Sequence, residues 1–204
     1  MILANKLGIT NQVELASAEE KISKYKAKKL FDSGELNQIA IGTFAGLATI
    51  HQYLFTDIYD FAGKMRDVNI AKGNFRFAPV MYLEQSLHHI DQMPQSNYNQ
   101  IIEKYVEMNI AHPFREGNGR AGRIWLDLML KSGIKQVIDW NNVDKDEYLS
   151  AMERSVVKDV EIKVLLQQAL TPQINDRAIF MKGIDVSYYY EGYSEFVTTE
   201  IEGV

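Results

Sequence analysis

A chain of 204 residues, of which 46% are hydrophobic, has the length and composition of one globular domain with its own core. Its net charge of −5 excludes broad nucleic-acid binding, because phosphate backbones require a basic surface. Without cysteine it has no disulfide, no zinc–thiolate site and no thiol nucleophile. We see no signal peptide and no apolar run long enough to span a bilayer, and we therefore expect a cytoplasmic protein that does not bind membranes.

The predicted elements begin with helices. Residues 17–20, Ser-Ala-Glu-Glu, have the spacing of a capping box and predict a first helix that starts there and ends near Gly34. An apolar-rich stretch over 35–54 predicts a second helix. Short alternating runs over 64–80 then predict a small β-hairpin, which is the only convincing strand signal in the sequence.

The rest of the chain returns to helical periodicity. Helices are predicted over 82–93, 98–111, 120–131 with Gly133 as its end, 144–157 and 160–170, followed by shorter pieces over 176–182 and 186–192. Residues 194–204 follow no pattern and are interpreted as a tail. Because no repeat or linker divides the sequence, it predicts one mainly α domain over 1–204 with a small β-hairpin.

The stretch HPFREGNGRAGR has the residue types of a phosphate site. Gly117 and Gly119 allow backbone N–H groups to approach a ligand, and the N-terminus of the following helix adds the positive end of its dipole. Asn118 can donate to the same anion, and Arg120 and Arg123 can donate to further phosphate oxygens. So many converging donors predict a polyphosphate rather than a monophosphate.

The same stretch also contains a metal ligand and a base. Glu116 supplies the hard oxygen that Mg²⁺ prefers, and Mg²⁺ usually accompanies polyphosphates. His112 precedes the glycines, and Pro113 keeps its backbone out of the helical region. A neutral imidazole there can accept a proton from an attacking hydroxyl group, whereas Phe114 is expected to anchor the loop in the core. These residues predict a site for phosphoryl or nucleotidyl transfer.

At every defined position this stretch resembles the Fic family signature, H-x-F-x-(D/E)-G-N-G-R-x-x-R, and the resemblance extends over about 55–157. It implies a compact helical Fic domain that transfers AMP from ATP to a Tyr, Ser or Thr hydroxyl of a target protein. His112 would be the general base and Glu116 would hold Mg²⁺. The ATP phosphates would be held by Gly117, Asn118, Gly119, Arg120 and Arg123.

Two further segments resemble parts of Fic proteins. The predicted hairpin resembles the Fic flap, which would pair with the target as an added strand through Lys72, Gly73, Asn74, Phe75, Arg76 and Phe77. The C-terminal sequence SYYYEG, within a helix over 186–192, resembles the inhibitory motif (S/T)-x-x-x-E-(G/N), formed here by Ser187, Glu191 and Gly192. Its position after the domain is that of class III Fic proteins. Glu191 would then pair with Arg123 and exclude a productive pose of ATP.

Other interpretations of these residues stay open. Tyr148 and Met152 lie one turn apart and fit an adenine pocket, but helix packing explains them equally well. An ATP-binding regulatory module without turnover is a second reading, against which His112 argues because binding alone needs no base. A Doc-like phosphotransferase is a third, although that subfamily carries lysine where this sequence has Gly119. Glu191 is also suited to activating water for removal of AMP from modified targets. The sequence does not identify the target, and it leaves a homo-oligomer open.

Overall fold

The computed structural model describes residues 2–73 and 75–204. In this part of the chain the α-helices are α1 Gln12–Asp32, α2 Phe44–Phe55, α3 Val80–Gln92, α4 Tyr98–Ala111, α5 Asn118–Ile134, α6 Lys145–Arg154, α7 Val160–Gln168 and α8 Arg177–Tyr190. Short strands are β1 Ala71–Lys72, β2 Phe75–Arg76, β3 Val137–Ile138 and β4 Leu170–Thr171, and 3₁₀ turns occur at Glu35–Gln38, Trp140–Asn142 and Thr198–Glu200. The predicted mainly α fold is confirmed.

Helix α5 is the central element, and it packs against α2, α4 and α8. Its side chains Trp125, Leu126 and Leu130 are fully buried, and the Trp125 indole N–H donates to the carbonyl oxygen of Thr43 over 3.0 Å. The helix begins directly after the motif loop, residues 112–117, which joins it to α4. The hydrophobic core therefore fixes the direction in which the N-terminus of α5 points.

The first helix starts five residues earlier than the capping-box pattern predicts. Asn11 caps it, because its side-chain oxygen accepts hydrogen bonds from the backbone N–H groups of Val13 and Glu14. Residues 17–20 lie inside α1, so the predicted start is wrong, although the helix does end next to Gly34. A side-chain cap at Asn11 and a capping box are both local signals, and the earlier one prevails here.

The helix predicted over 35–54 is shorter in the structure. A 3₁₀ turn covers its start, and Gly42 takes a left-handed conformation with φ 73°, which interrupts the chain before α2. Helix α2 begins where Thr43 Oγ1 accepts the backbone N–H of Gly46 over 3.0 Å. Apolar composition alone did not show this break.

Two other helix ends differ from the prediction. Gly133 lies within α5, which ends instead at Lys135 in a left-handed conformation with φ 57°. The two pieces predicted near the C-terminus form the single helix α8, whose start is capped by Asp176. Burial of α8 against its neighbours compensates for the poor helix propensity of its glycine and β-branched residues.

The predicted hairpin is confirmed, with Ala71 opposite Arg76 and Lys72 opposite Phe75. Asn74, which was assigned to the flap, lies outside the described residues. The hairpin is not the only strand pair, because β3 and β4 also pair in antiparallel fashion. Strands of two residues are too short to show a period of two in the sequence, which explains the omission.

The C-terminal residues are not a loose tail. Thr198 is fully buried and Ile201 nearly so, and the 3₁₀ turn between them packs on both α1 and α8. Over residues 2–73 and 75–204, no helix has both the length and the apolarity that crossing a membrane requires.

Candidate active site

The candidate active site is a cleft of about 630 Å³ between the flap, the motif loop, α6 and the end of α8. Most residues that the sequence assigned to a site line it. They are Lys72, Gly73, Phe75, Phe77, His112, Glu116, Gly117, Asn118, Gly119, Arg120, Arg123, Tyr148, Met152 and Glu191. Of the others, Ser187 is buried against Arg123, whereas Arg76 and Gly192 are exposed.

His112 ends α4 in a left-handed conformation with φ 49°, which turns the chain into the motif loop. Its ring Nδ1 lies 3.2 Å from the carbonyl oxygen of Asn109, which is an acceptor and so places the proton on Nδ1. Nε2 then keeps its lone pair. Desolvation by burial lowers the pKa of His112 to about 4, so the imidazole is neutral at pH 7.

The motif loop is closed by Asn118. Its side-chain oxygen accepts the backbone N–H of Phe114 and its side-chain N–H donates to the carbonyl oxygen of the same residue, each over 2.8 Å. Phe114 is fully buried, as expected for an anchor. The side-chain amide of Asn118, which is predicted to bind a phosphate, thus holds the loop together. The backbone N–H of Asn118 is left for a ligand.

His51, which the sequence did not single out, supports the motif loop from α2. Its Nε2 lies 2.8 Å from the carbonyl oxygen of Glu116, and its Nδ1 accepts the backbone N–H of Gly63 over 2.9 Å. The ring stacks on Phe114 with centroids 3.8 Å apart. Desolvation by burial lowers the pKa of His51 to about 4, which keeps it neutral. A lone histidine in a helical pattern carries no sequence signal for this role.

Arg66 is a second supporting residue that sequence reasoning missed. It is 2% exposed, and its guanidinium donates to carbonyl oxygens on both sides of the cleft. Toward the motif loop it reaches His112 over 2.8 Å and Ala111 over 3.1 Å. Toward the flap it reaches Val68 over 2.8 Å and also Ala78. Arg66 therefore connects the base of the flap to the motif loop.

The side chain of Arg120 is fully buried and is bonded to carboxylates. It donates to Glu19 on α1, and across 3.1 Å to Glu116. Glu19 also accepts hydrogen bonds from Tyr59 and, over 2.7 Å, from Tyr193. Burial opposes ionisation of Glu19, but Arg120 and these hydrogen bonds hold its pKa below the ordinary value. Arg120 thus holds the Glu116 carboxylate, and the phosphate contact that the resemblance implies for Arg120 stays a prediction.

Arg123 makes the contacts expected of the inhibitory motif. Its Nη2 donates to Glu191 Oε1 over 2.8 Å and to the Ser187 carbonyl oxygen over 2.9 Å, while its Nε donates to Ser187 Oγ over 2.6 Å. The guanidinium also lies over the rings of Tyr148 and Tyr190. The Arg123 head group thus has hydrogen-bond partners at the end of α8 and aromatic partners on α6 and α8.

Glu191 caps the C-terminus of α8 and lies at the N-terminus of α5. A Cβ atom at Gly119 would clash with Glu191 Oε1, so the carboxylate rests directly on this glycine. Its other oxygen lies 3.3 Å from Lys72 Nζ on the flap. Burial alone would raise the pKa of Glu191, but Arg123 and Lys72 lower it to about 2. A carboxylate therefore occupies the position where the sequence predicts a phosphate.

Tyr148 and Met152 are buried at the wall of the cleft. The Tyr148 ring stacks on Tyr190 with centroids 5.0 Å apart, and its hydroxyl lies 2.5 Å from that of Tyr105. Helix packing therefore accounts for Tyr148, while the position of both residues beside the motif loop still suits an adenine ring.

A central helix that opens toward a cleft beneath a β-hairpin, with a glycine- and arginine-containing loop at its start, is the architecture of a Fic-type domain. The Fic/DOC family model matches residues 43–130, which include the whole motif. The chain belongs to the Fic/DOC family.

Related proteins agree with this assignment. The chain is 28% identical over 183 residues to a probable protein adenylyltransferase Fic of Salmonella typhimurium, covering 83% of this chain and 88% of that protein. It is 29% identical to the Escherichia coli protein of the same name, covering 78% and 82%. It is 31% identical to protein adenylyltransferase VbhT of Bartonella schoenbuchensis, covering 90% of this chain but 40% of that longer protein.

Solved structures show the same fold. The Fic domain of a putative cell filamentation protein from Bartonella quintana, with bound ADP, has a TM-score of 0.68 at 22% identity, covering 84% of this chain and 91% of that chain. BepC from Bartonella tribocorum, with bound AMPPNP, has a TM-score of 0.67 at 19% identity, covering 85% and 94%.

Proposed function

We propose that this chain is a protein adenylyltransferase that transfers AMP from ATP to a hydroxyl group of a target protein. It acts as a single Fic domain over 1–204, with its core at about 55–157, in the cytoplasm. The observation that carries the proposal is the juxtaposition, in one cleft, of neutral His112 with the N-terminus of α5. The names of the relatives support the same reaction.

The phosphates of ATP bind at the start of α5. The first backbone N–H groups of a helix have no partner within it, and the helix dipole adds positive charge, so this end favours an anion. Gly117 takes a left-handed conformation with φ 79°, and Gly119 presents no side chain to the cleft. Arg123, once released from Glu191, binds the γ-phosphate and orients the α-phosphate. The adenine ring lies between Tyr148 and Met152 on α6.

Glu116 fits a site for Mg²⁺. Its Oε1 is held by Arg120 and by the backbone N–H of Gly117, and the side chain is 43% exposed, which leaves the second oxygen for a ligand. One carboxylate together with phosphate oxygens and water is the donor set that Mg²⁺ commonly takes. Bound there, Mg²⁺ would neutralise phosphate charge.

The chemical step follows from the His112 tautomer. Nε2 accepts the proton of the target hydroxyl as its oxygen attacks the α-phosphorus. A phosphorus–oxygen bond to the target forms, the bond between the α-phosphorus and the bridging oxygen breaks, and pyrophosphate leaves with the bridging oxygen. The target segment pairs with the flap through main-chain hydrogen bonds, which suits an extended peptide of variable sequence.

The last turn of α8 inhibits this reaction, as in class III Fic proteins. Glu191 holds Arg123 away from the γ-phosphate and occupies the anion position at Gly119, while Ser187 holds the same arginine from the other side. Gly192, with φ 93°, lets the chain turn away from the cleft after the glutamate. The Doc-like alternative has no support at this position, because Gly119 stands where that subfamily carries lysine and a side chain there would clash with Glu191.

The test is transfer of label from ATP to protein in a cell lysate and to the chain itself. With Glu191→Gly we expect α-labelled ATP to label protein. The wild type should give weak labelling or none, and Glu191→Gly combined with His112→Ala should give none. Label from γ-labelled ATP instead would contradict adenylyl transfer and favour a phosphotransferase. ATP binding without label from either source would favour a binding module. Loss of label over time that depends on Glu191 would reveal removal of AMP.

A further inference from the structure

Phe77, the last residue of the flap, covers the imidazole of His112. The two rings are stacked with centroids 3.6 Å apart and an interplanar angle of 17°. Phe75 packs edge-on against Phe77 at 4.9 Å, and the Phe77 backbone N–H donates to the carbonyl oxygen of Ile70 over 3.4 Å. The hairpin therefore determines where the Phe77 ring lies.

The backbone next to Phe77 is tied to the end of α4. Ala78 donates its N–H to the carbonyl oxygen of Ile110 over 3.0 Å, and Arg66 bridges the carbonyl oxygens of Ala78 and His112. The two stacked rings are thus held by the same short set of backbone contacts.

We propose that Phe77 is a positioning residue, which holds the His112 ring with Nε2 toward the cleft and keeps water from one of its faces. The inference rests on the proposed function, because it concerns the same base. The charged groups that act on the ring are Glu191, Lys72 and Arg66. Each Phe77 variant is compared with its parent in the same background, so replacing Phe77 alters none of these charges. Desolvation by burial lowers the pKa of His112 to about 4, and the Phe77 ring contributes to that burial by covering one face of the imidazole.

The test uses Phe77→Ala and Phe77→Tyr in the active Glu191→Gly background. With Phe77→Ala we expect kcat to fall by about tenfold or more, while the KM for ATP changes by less than about twofold. The acid limb of the pH profile should move upward by about one pH unit or more, toward the ordinary histidine pKa. Phe77→Tyr should retain activity and profile. Tyr82→Leu, at an exposed aromatic residue on α3, should change neither.

A second measurement distinguishes failure of this inference from failure of the proposed function. Proton NMR of the His112 ring reports its titration whether or not the chain transfers AMP. In the otherwise wild-type chain the pKa should rise from about 4 on Phe77→Ala. An unchanged titration, or a change in KM alone, would overturn the role of Phe77. If the pKa of His112 rises but the chain labels no protein, the role of Phe77 is supported and the proposed reaction is contradicted.

A separate observation concerns the C-terminal residues that the sequence interpreted as a tail. Lys24 on α1 is 1% exposed, and its Nζ lies 2.9 Å from Glu20 and 3.1 Å from Asp185 on α8. It also donates to the carbonyl oxygen of Phe196. Lys24 thus forms a junction between α1, α8 and the segment that contains Phe196. The lysine requires these partners, because an unpaired buried charge would be strongly unfavourable.

Residues 195–201, which we name the clasp, are bonded to the same junction. Glu20 accepts the backbone N–H groups of Glu195 and Phe196, each over 3.1 Å. Asp185 accepts the backbone N–H of Thr198 over 2.9 Å and also its hydroxyl. Thr198 is fully buried. The clasp thus joins the last two turns of α8 to α1.

We infer that the clasp holds α8 in its inhibitory position and so sets how readily Glu191 leaves Arg123. This inference also rests on the proposed function. Glu191 lies between Asp185 and the clasp along the chain, so a segment fixed at both sides restrains it. Release of the clasp by a partner or by truncation is then a route to activation.

The variants that test the clasp are Thr198→Val, which removes the hydroxyl without changing the shape, and a truncation after Ser194. Asp32→Asn is the matched control, because the exposed Asp32–Arg177 pair at 2.7 Å also joins α1 to α8, at the opposite end of α8. We expect amide exchange over 186–193 to become about tenfold faster in the two clasp variants and to stay unchanged in the control. Transfer of AMP should rise by about fivefold or more.

In the Glu191→Gly background the same clasp variants should not raise the transfer of AMP further, since the inhibitory glutamate is already absent. Unchanged exchange over 186–193 would overturn the clasp directly. Faster exchange with unchanged transfer, in a chain that Glu191→Gly activates, would also overturn it. Faster exchange in a chain that never labels protein would sustain the clasp as the anchor of α8 while the proposed reaction fails.

Discussion

Arg123 and Glu191, 68 residues apart in the chain, form an ion pair at 2.8 Å in which the arginine side chain is 4% exposed and the glutamate side chain 19% exposed. The pair lies at the N-terminus of α5, where the first backbone N–H groups have no partner within the helix and favour an anion. Glu191 is an anion held by Arg123 at this helix end, so under the proposed function we expect the phosphates of ATP to compete with Glu191 for Arg123. Under the proposed function, inhibition by Glu191 and transfer of AMP would then exclude each other at this position.

Ser187→Ala should weaken this inhibition. The Ser187 hydroxyl accepts Arg123 Nε over 2.6 Å, and its loss leaves a buried donor without a partner in the inhibited state. We expect basal adenylyl transfer to rise by about five- to tenfold, the equivalent of one lost hydrogen bond. Initial rates with α-labelled ATP measure this. Ser86→Ala, at a partly exposed serine on α3, is the control, and an unchanged rate in Ser187→Ala would contradict the inhibitory role of Ser187.

Acidification should remove the contribution of Glu191 to stability. Its folded-state pKa of about 2 lies below the ordinary 4.5, so the contribution is present above pH 4.5 and is lost as the pH falls toward 2. The free energy of unfolding of the wild type, relative to Glu191→Gln, should decrease by about 2 kcal/mol between pH 5 and pH 3. Urea unfolding at both pH values gives this difference, and a constant difference would show that the ion pair adds no stability.

His51 should make the protein sensitive to mild acid. Its folded-state pKa of about 4 lies below the ordinary 6.5, so the neutral form stabilises the fold above pH 6.5 and this stability is lost as the pH falls toward 4. Between pH 7 and pH 5 the wild type should lose about 2 kcal/mol more than His51→Gln, which cannot take up the proton. Denaturant unfolding measures it, with His88→Gln at an exposed histidine as control. Parallel losses in all three proteins would contradict the prediction.

Arg66→Lys should uncouple the flap from the motif loop. Lysine retains the charge but cannot reach four carbonyl oxygens with a planar fork. In the Glu191→Gly background we expect transfer to fall by about tenfold, since a base displaced by a fraction of an ångström loses much of its effect. Amide exchange in the flap should rise in parallel. Arg154→Lys, at an exposed arginine paired with Glu161, should leave both unchanged; normal flap exchange in Arg66→Lys would disprove the coupling.

Local patterns in the sequence were sufficient for most helices and for the composition of the site. The motif residues are consecutive, so their proximity follows from chain connectivity alone, and the α4 and α5 signals on either side place them at a helix N-terminus. Local signals failed where two of them competed, as at the start of α1, or where a single glycine broke a long apolar run, as at Gly42.

The sequence by itself therefore determined the family, the helical fold and the motif residues that line the cleft, because each depends on neighbours within a few turns of the chain. Only the tertiary structure decided which distant groups hold those residues in place. Arg120 meets Glu19 across 101 residues, and Lys24 meets the carbonyl oxygen of Phe196 across 172. No periodicity predicts such pairs, since a buried charge becomes favourable only when folding brings its partner within hydrogen-bonding distance.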